Sequence, residues 1–196
     1  IEDFNCINLE NISLTVKVKE SLLDYQKAYT ICKEKLVKSN IKLNLNTEFV
    51  IEDCKNYDLV INCTYADINS ILNEKHKKPY QFEVCEKIVV KMPDKISEKS
   101  IVVMDGPFMC VDPYGSTGNS LLGNVVYALH SSNTGIYPNV DKKLRSVLNK
   151  GIVKNPPITN YQKFIKSGKD FIPSLVDSKY IGSMFTVRAV LPNMDD

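Results

Sequence analysis

Three groups of residues in this 196-residue chain have types and spacings suited to chemistry. The first is Val60-Ile61-Asn62-Cys63-Thr64-Tyr65, where a short apolar run passes into polar residues. In open α/β sheets ligands collect at the carboxyl ends of strands, so Asn62, Thr64 and Tyr65 are placed to meet one. A plainer account is that Asn62 and Thr64 satisfy backbone groups at a strand end. The second group is Met104-Asp105-Gly106-Pro107-Phe108 together with Asp112-Pro113-Tyr114-Gly115. Turn chemistry accounts for both stretches, and Tyr114 is the member able to face a substrate. The third is Arg188, a lone guanidinium in the apolar stretch Phe185–Leu191. A half-buried arginine needs an anionic partner. That partner is either an internal carboxylate or an anionic ligand, which the forked guanidinium grips better than an ammonium does.

Other chemistries lack their residues. The chain contains no Gly-x-Gly-x-x-Gly loop, no phosphate-binding Walker loop and no Gly-x-Ser-x-Gly elbow. His130 has no nucleophile or acid near it in sequence and reads as a strand-end histidine rather than a base. Of the six cysteines no two lie closer than nine residues, and neither His76 nor His130 flanks them closely, so no metal clamp is expected. Cysteines within apolar runs behave as small buried hydrophobes, and free thiols in a reducing cytoplasm are the expectation.

The elements that must position these groups follow from periodicity. Asn11–Lys19 alternates apolar and polar residues as a half-buried strand does. Tyr25, Ala28, Tyr29, Cys32 and Leu36 recur at helical spacing up to Ser39-Asn40. Ile41, Leu43 and Leu45 resume the strand period, Glu48–Ile51 continues it, and Asp58–Asn62 has the pattern of a strand buried on both faces. Beyond this the character changes. Gln81–Met92, Ile101–Met104, Phe108–Val111 and Leu121–His130 read as strands, separated by turns at Pro93-Asp94, Asp105-Gly106-Pro107 and Asp112–Asn119. Strands joined by short turns predict an antiparallel sheet. Val140, Leu144, Val147 and Leu148 mark one helix; Tyr161, Phe164 and Ile165 mark another; and Ile181–Leu191 is a last strand running towards Asp195-Asp196. The expected fold class is therefore α/β of the α+β kind. Residues 1–79 form a partial α/β layer, and residues 80–196 form an antiparallel substrate-type domain with helices.

Composition narrows the partners. A hydrophobic share of 43% against 24% charged residues is that of a folded chain. The formal charge is only +2, with lysines dispersed and arginine at Arg145 and Arg188 alone, which is not the concentrated basic face that nucleic acid requires. No apolar run approaches the roughly 20 residues that span a bilayer. The start of the sequence, Ile-Glu-Asp-Phe-Asn, does not read as a signal peptide, so a cytoplasmic setting is expected.

At these positions the chain resembles the glycine-oxidase and D-amino-acid-oxidase group of FAD-dependent oxidoreductases. Asp58-Leu59-Val60-Ile61-Asn62-Cys63-Thr64-Tyr65 is similar to the group's Asp-x-Val-Val-Asn-Ala-Thr/Ala-Gly strand, with Tyr65 where Gly is usual. Phe171-Ile172-Pro173-Ser174-Leu175 resembles its Phe-x-Pro-x-Leu element, and Arg188 resembles the arginine of a late strand, with Ala189 where Pro usually follows. The resemblance implies an FAD cofactor, with Phe49 and Val50 against its adenosine part and Asn62, Thr64 and Tyr65 approaching it. It further implies a substrate-domain sheet presenting Tyr114 and Arg188 to an amine or other small substrate. On this view the chain is the middle portion of such a protein, does not by itself retain FAD, and orients a substrate for hydride transfer. The competing expectation is a non-catalytic binding or assembly domain that kept the substrate-domain architecture. One outcome is independent of the choice: thiol titration under denaturing, non-reducing conditions should count all six cysteines, and a count of four or fewer would mean that disulfides exist.

Overall fold

β1 (Tyr80–Lys91) organises the sheet because its two faces differ in chemistry. Phe82, Val84, Ile88 and Val90 point to one side and are all but inaccessible, while Lys87 and Lys91 on the other side are exposed. The computed structural model, which describes residues 4–93, 96–104 and 108–192, pairs β1 along its whole length with β6 (Lys179–Val190), from Gln81↔Val190 to Lys91↔Lys179. Its other edge is shared: β4 (Ser120–Asn124) pairs with Ile88–Val90, and β5 (Leu129–Gly135) pairs with Tyr80–Cys85. β3 (Met109–Pro113) joins β4, and β2 (Ile101–Val102) joins β3. All these pairings are antiparallel, as the strands joined by short turns led one to expect.

Leu121–His130, expected as one extended stretch, is broken at Val125–Ala128. The Asn124 side chain accepts from the Tyr127 N–H (2.8 Å), and the Asn124 carbonyl accepts from the Ala128 N–H (3.0 Å), which closes a turn. The Asp112–Asn119 turn is a hairpin loop in which Gly115 and Gly118 both take positive φ, backbone open to glycine at little cost. The Asp105-Gly106-Pro107 turn, Asp94 of the Pro93-Asp94 turn and the terminal Asp195-Asp196 lie outside the described residues.

One face of the sheet is covered. α3 (Tyr161–Gly168) lays Phe164 over Ile88, Val90, Met109, Val111 and Leu122, and the 3-10 turn Pro173–Asp177 adds Leu175 to the same cluster. A second cluster joins Val84 and Phe185 to Val140, Leu144 and Val147 around α2 (Lys142–Arg145). The helix expected through Leu148 is only one turn long: it ends at Arg145, and Leu148 instead forms a bridge with Phe185 of β6.

Glu86 lies on this covered face between the two clusters, its side chain fully buried. A carboxylate only accepts, which makes His130 Nε2 the donor at 2.8 Å. The Asn160 N–H at the start of α3 donates to the same oxygen at 2.8 Å, and Thr159 Oγ1 donates to the other. Burial alone would push the Glu86 carboxyl up, but bonds from His130, Asn160, Ser183 and Thr159 outweigh it and hold the group below its ordinary range.

The first third of the chain departs from expectation. α1 (Tyr25–Lys38) forms where the periodicity puts it, capped by Asp24, whose carboxylate accepts from the Gln26 and Lys27 N–H groups. None of its residues is buried. The strands expected at Asn11–Lys19, Ile41–Leu45 and Asp58–Asn62 make no ladder, and Glu48–Ile51 runs into a 3-10 turn, Ile51–Asn56. Leu59 and Ile61, expected inside a doubly covered strand, are 77% and 76% exposed. A two-residue period states a preference for pairing but supplies no partner edge, and these segments pair with none among the described residues. What shows of the expected fold class is thus a mixed α+β fold with one antiparallel sheet and several helices. Asn8 bonded to Phe171 and Asp170, and buried Asn69 bonded to Lys78 and Ile136, tie the two halves together.

The buried carboxylate gives a direct test. Replacing Glu86 by Ala strips the partner from His130 and from the start of α3, and should cost about 3–5 kcal/mol in urea unfolding. Because the folded pKa is depressed, Glu86 stabilises fully above its unfolded value of about 4.3 and loses that contribution as pH falls through the folded value. Glu86→Gln should therefore flatten the acid limb of the stability profile; an unchanged limb would remove Glu86 as its cause.

Candidate functional site

The sequence singled out two sets of residues, and the fold places them in two adjoining regions. In the first, Phe49, Tyr57, Leu59–Thr64 and Ile71 line a cleft of about 330 Å³. Phe49 and Tyr57 stand with ring centroids 5.9 Å apart at one side of it. Phe49, Asn62 and Thr64 are thus brought together, and Tyr65 is not among the lining residues. Val50 does not line the cleft; its N–H is bonded to Asp53 at 3.1 Å and caps the Ile51–Asn56 turn.

The polar atoms of this set are engaged locally. Asn62 donates to the Ile68 carbonyl at 2.9 Å, and its side-chain oxygen accepts from the Thr64 N–H at 3.2 Å and from Thr64 Oγ1 at 2.7 Å. These bonds clasp the 3-10 turn Tyr65–Asp67. Tyr65 has φ 55°, left-handed backbone that a tyrosine adopts only at a cost of about 1–2 kcal/mol. The position where the resembling motif carries Gly is therefore one whose backbone suits Gly. Tyr65–Asp67 packs against β6.

The second set lies on the opposite, only partly covered face of the sheet (the uncovered face), where Val89 and Glu83 are buried and Lys87 is exposed. By the alternation of β1, this face carries Glu83, Cys85, Lys87 and Val89, with Arg188, Thr186 and Met184 opposite the first three on β6. Arg188 Nε meets Glu83 Oε2 at 2.8 Å and Nη2 meets the same oxygen at 2.5 Å, while Gln81 donates to Oε1 at 2.7 Å. The Glu83 side chain is 5% exposed and that of Arg188 50%. Arg188 thus forms the internal pair that was one of its two readings. Tyr114 enters from the end of β3, which β4 and β1 separate from β6. Its hydroxyl donates to Met184 Sδ at 3.7 Å, so its side chain lies across this face.

Sequence reasoning passed over Glu83 and Lys87. The signal was present, since a two-residue period that buries Phe82 and Val84 puts Glu83, Cys85 and Lys87 together on the opposite side. All six cysteines stand as free thiols, and among the described residues no group of three or more His, Cys, Asp or Glu is placed to hold a metal ion. No helix of the described residues is long and apolar enough to cross a membrane.

Removing Arg188 should leave a buried carboxylate short of its main partner. Arg188→Ala is expected to lower unfolding stability by about 1–3 kcal/mol, and adding Glu83→Gln should return part of that loss. Additive losses in the double-mutant cycle would show the two side chains to be uncoupled.

Set beside known proteins, the chain matches no protein-family model, no curated protein and no solved structure.

Proposed function

We propose that this chain is part of an FAD-dependent oxidoreductase, similar to the glycine-oxidase and D-amino-acid-oxidase group, that oxidises an amine or another small substrate. The observation that carries the reading is the contact of the Tyr65–Asp67 turn with β6. It joins the end of the cleft lined by Phe49, Asn62 and Thr64 to the strand bearing Arg188. Two residue sets selected separately in the sequence, one for cofactor and one for substrate, therefore belong to adjoining surfaces.

The residues suit part of the cofactor. A cleft of about 330 Å³ is at the lower end of the range for ligand pockets, enough for one ring system of a dinucleotide, with Phe49 and Tyr57 available as aromatic walls. Asn62 and Thr64 fix the turn rather than offering free polar atoms, so their part is to hold the cleft's shape. Bound FAD supplies the hydride acceptor. The chain's own residues orient the substrate: the uncovered face of the sheet, with Tyr114 lying across it, forms the substrate-side wall and keeps water from it. In this reading residues 1–79 contribute to a cofactor-binding α/β layer and residues 80–196 are the substrate domain.

A second reading, a binding or assembly domain without flavin, is favoured by one observation. Leu14, Val16, Val18, Leu43, Leu45, Leu59 and Ile61 are each more than half exposed, an apolar surface that suits a macromolecular partner. Flavin content separates the two. This chain alone should be colourless, since the pyrophosphate of a dinucleotide is ordinarily held by backbone amides of a glycine loop, and the 196 residues contain no such loop. The complete gene product should show the flavin absorbance band, and anaerobic addition of a substrate amine should bleach it. A complete protein free of flavin would leave the binding-domain reading in possession.

A further inference from the structure

Lys87, Lys91 and Arg188 share the uncovered face of the sheet, and their electrostatic situations differ; Lys91 donates to the Gly118 carbonyl at 3.0 Å. The Arg188 guanidinium is already opposed by the buried Glu83 carboxylate through Nε and Nη2. Lys87, four residues beyond Glu83 along β1, has no carboxylate within 4 Å among the described residues. Its ammonium meets Cys110 Sγ at 3.8 Å, and a thiol is a weak acceptor. Burial pushes both neighbouring thiols, Cys85 and Cys110, up, and the Asp112 carboxylate bonded to Cys110 raises the latter further, so neither supplies a thiolate; Asp112, on the far side of Cys110, is the acidic group of this neighbourhood.

The ammonium is nevertheless held in a definite place. It lies over Gly123 of β4, the strand between Lys87 and Cys110. A Cβ on Gly123 would fall 2.7 Å from Lys87 Nζ and 2.4 Å from Cys110 Sγ, so the missing side chain is what lets the two meet across the strand. Met184 stands directly opposite Lys87 on β6, and it is Met184 Sδ that accepts the Tyr114 hydroxyl. Thioether sulfur, like thiol sulfur, is a poor acceptor, so that hydroxyl has a better use for its proton when an oxyanion arrives. A positioned ammonium with donors left over, and a hydroxyl on the same sheet face held by a soft partner, make a receptor for a compact oxyanion.

We infer that Lys87, assisted by Tyr114, is the anchor for the anionic group of a small carboxylate on the uncovered sheet face, and that Arg188 is not. The inference names the anchor at the substrate wall proposed above and rests on that reading for calling the ligand a substrate; the anion site itself is independent of flavin.

Acetate is the probe. Titrated into the full 196-residue chain and followed by amide NMR, it should give saturable shifts centred on Lys87, Gly123 and Met184. Lys87→Met should weaken binding by about tenfold or more, as expected for loss of a hydrogen bond to a charged group, while Lys87→Arg should retain most of it. Tyr114→Phe should weaken it by roughly threefold or more, and Arg188→Met should change it by less than about threefold while lowering stability. Absence of saturable shifts in the wild type, or a Lys87→Met affinity within about threefold of it, overturns the inference. So does loss of binding in an Arg188→Met protein whose amide spectrum remains dispersed. If Lys87→Met does not fold, Lys87→Gln and Tyr114→Phe decide: an affinity within about threefold of the wild type in Lys87→Gln, or an unchanged affinity in Tyr114→Phe, overturns it. A flavin-free complete protein would sink the oxidoreductase reading without touching the acetate result, and a failed titration beside a flavin-loaded complete protein would sink only the anchor.

Discussion

The covered side of the sheet depends on one buried carboxylate. Glu86 projects from β1 among Val84, Ile88 and Val90, where an unpartnered charge would be prohibitive. Its two oxygens instead collect His130 from β5, the first turn of α3 through Thr159 and Asn160, and Ser183 from β6. Apolar packing is tolerant of sliding, whereas these bonds are directional. They fix where α3 begins over the sheet, so Phe164 can reach only one part of the core. With α3, α2 and the Pro173–Asp177 turn committed to that side, the opposite side is left for Glu83, Lys87, Arg188 and Tyr114.

The two ionic arrangements on β1 illustrate how position along a strand sets role. Glu83 and Glu86 are three residues apart and therefore on opposite faces. Glu86 is enclosed and organises packing. Glu83 is buried beneath a half-exposed arginine and neutralises it. Lys87, next to Glu86 in sequence, falls on the Glu83 face but beyond reach of its carboxylate. The strand's alternation thus separates a structural charge from a surface charge with no intervening chain.

Legibility in the sequence followed the same division. The antiparallel sheet could be read because β1, β3, β4 and β6 keep their apolar residues in register with a covered face, and turn formers such as Gly115 and Gly118 mark the hairpin. α1 and α3 were equally legible from spacing. The α2 region was overextended because its apolar residues continue at helical spacing through Leu148, while the bridge that Leu148 makes to Phe185 leaves no such mark. Residues 12–63 gave the clearest misreading. Leu14, Val16, Val18, Leu59 and Ile61 alternate or run as strands do, yet alternation reports a need for a partner and is silent on whether one is present. Asn62 and Thr64 were picked out at the end of an apolar run, and Phe49 through the family resemblance; the three share a cleft, whereas the engagement of Asn62 by Thr64 and Ile68 is a matter of local geometry that sequence does not reveal.

The long β1–β6 ladder also has a consequence for how the protein is made. Arg188 and Glu83, paired across that ladder, are 105 residues apart in the chain. At a synthesis rate of about 5–20 residues per second, β1 waits roughly 5–20 s for its partner. During that interval one edge of β1 is unpaired and its Phe82–Val90 face is only partly clothed, the state in which strands pair with the wrong neighbour. β4 and β5, made sooner, occupy the other edge first. Glu83, Lys87 and Lys91, which punctuate the opposite face of the same strand, then act as charged gatekeepers on the nascent chain before any of them has a role in the finished one.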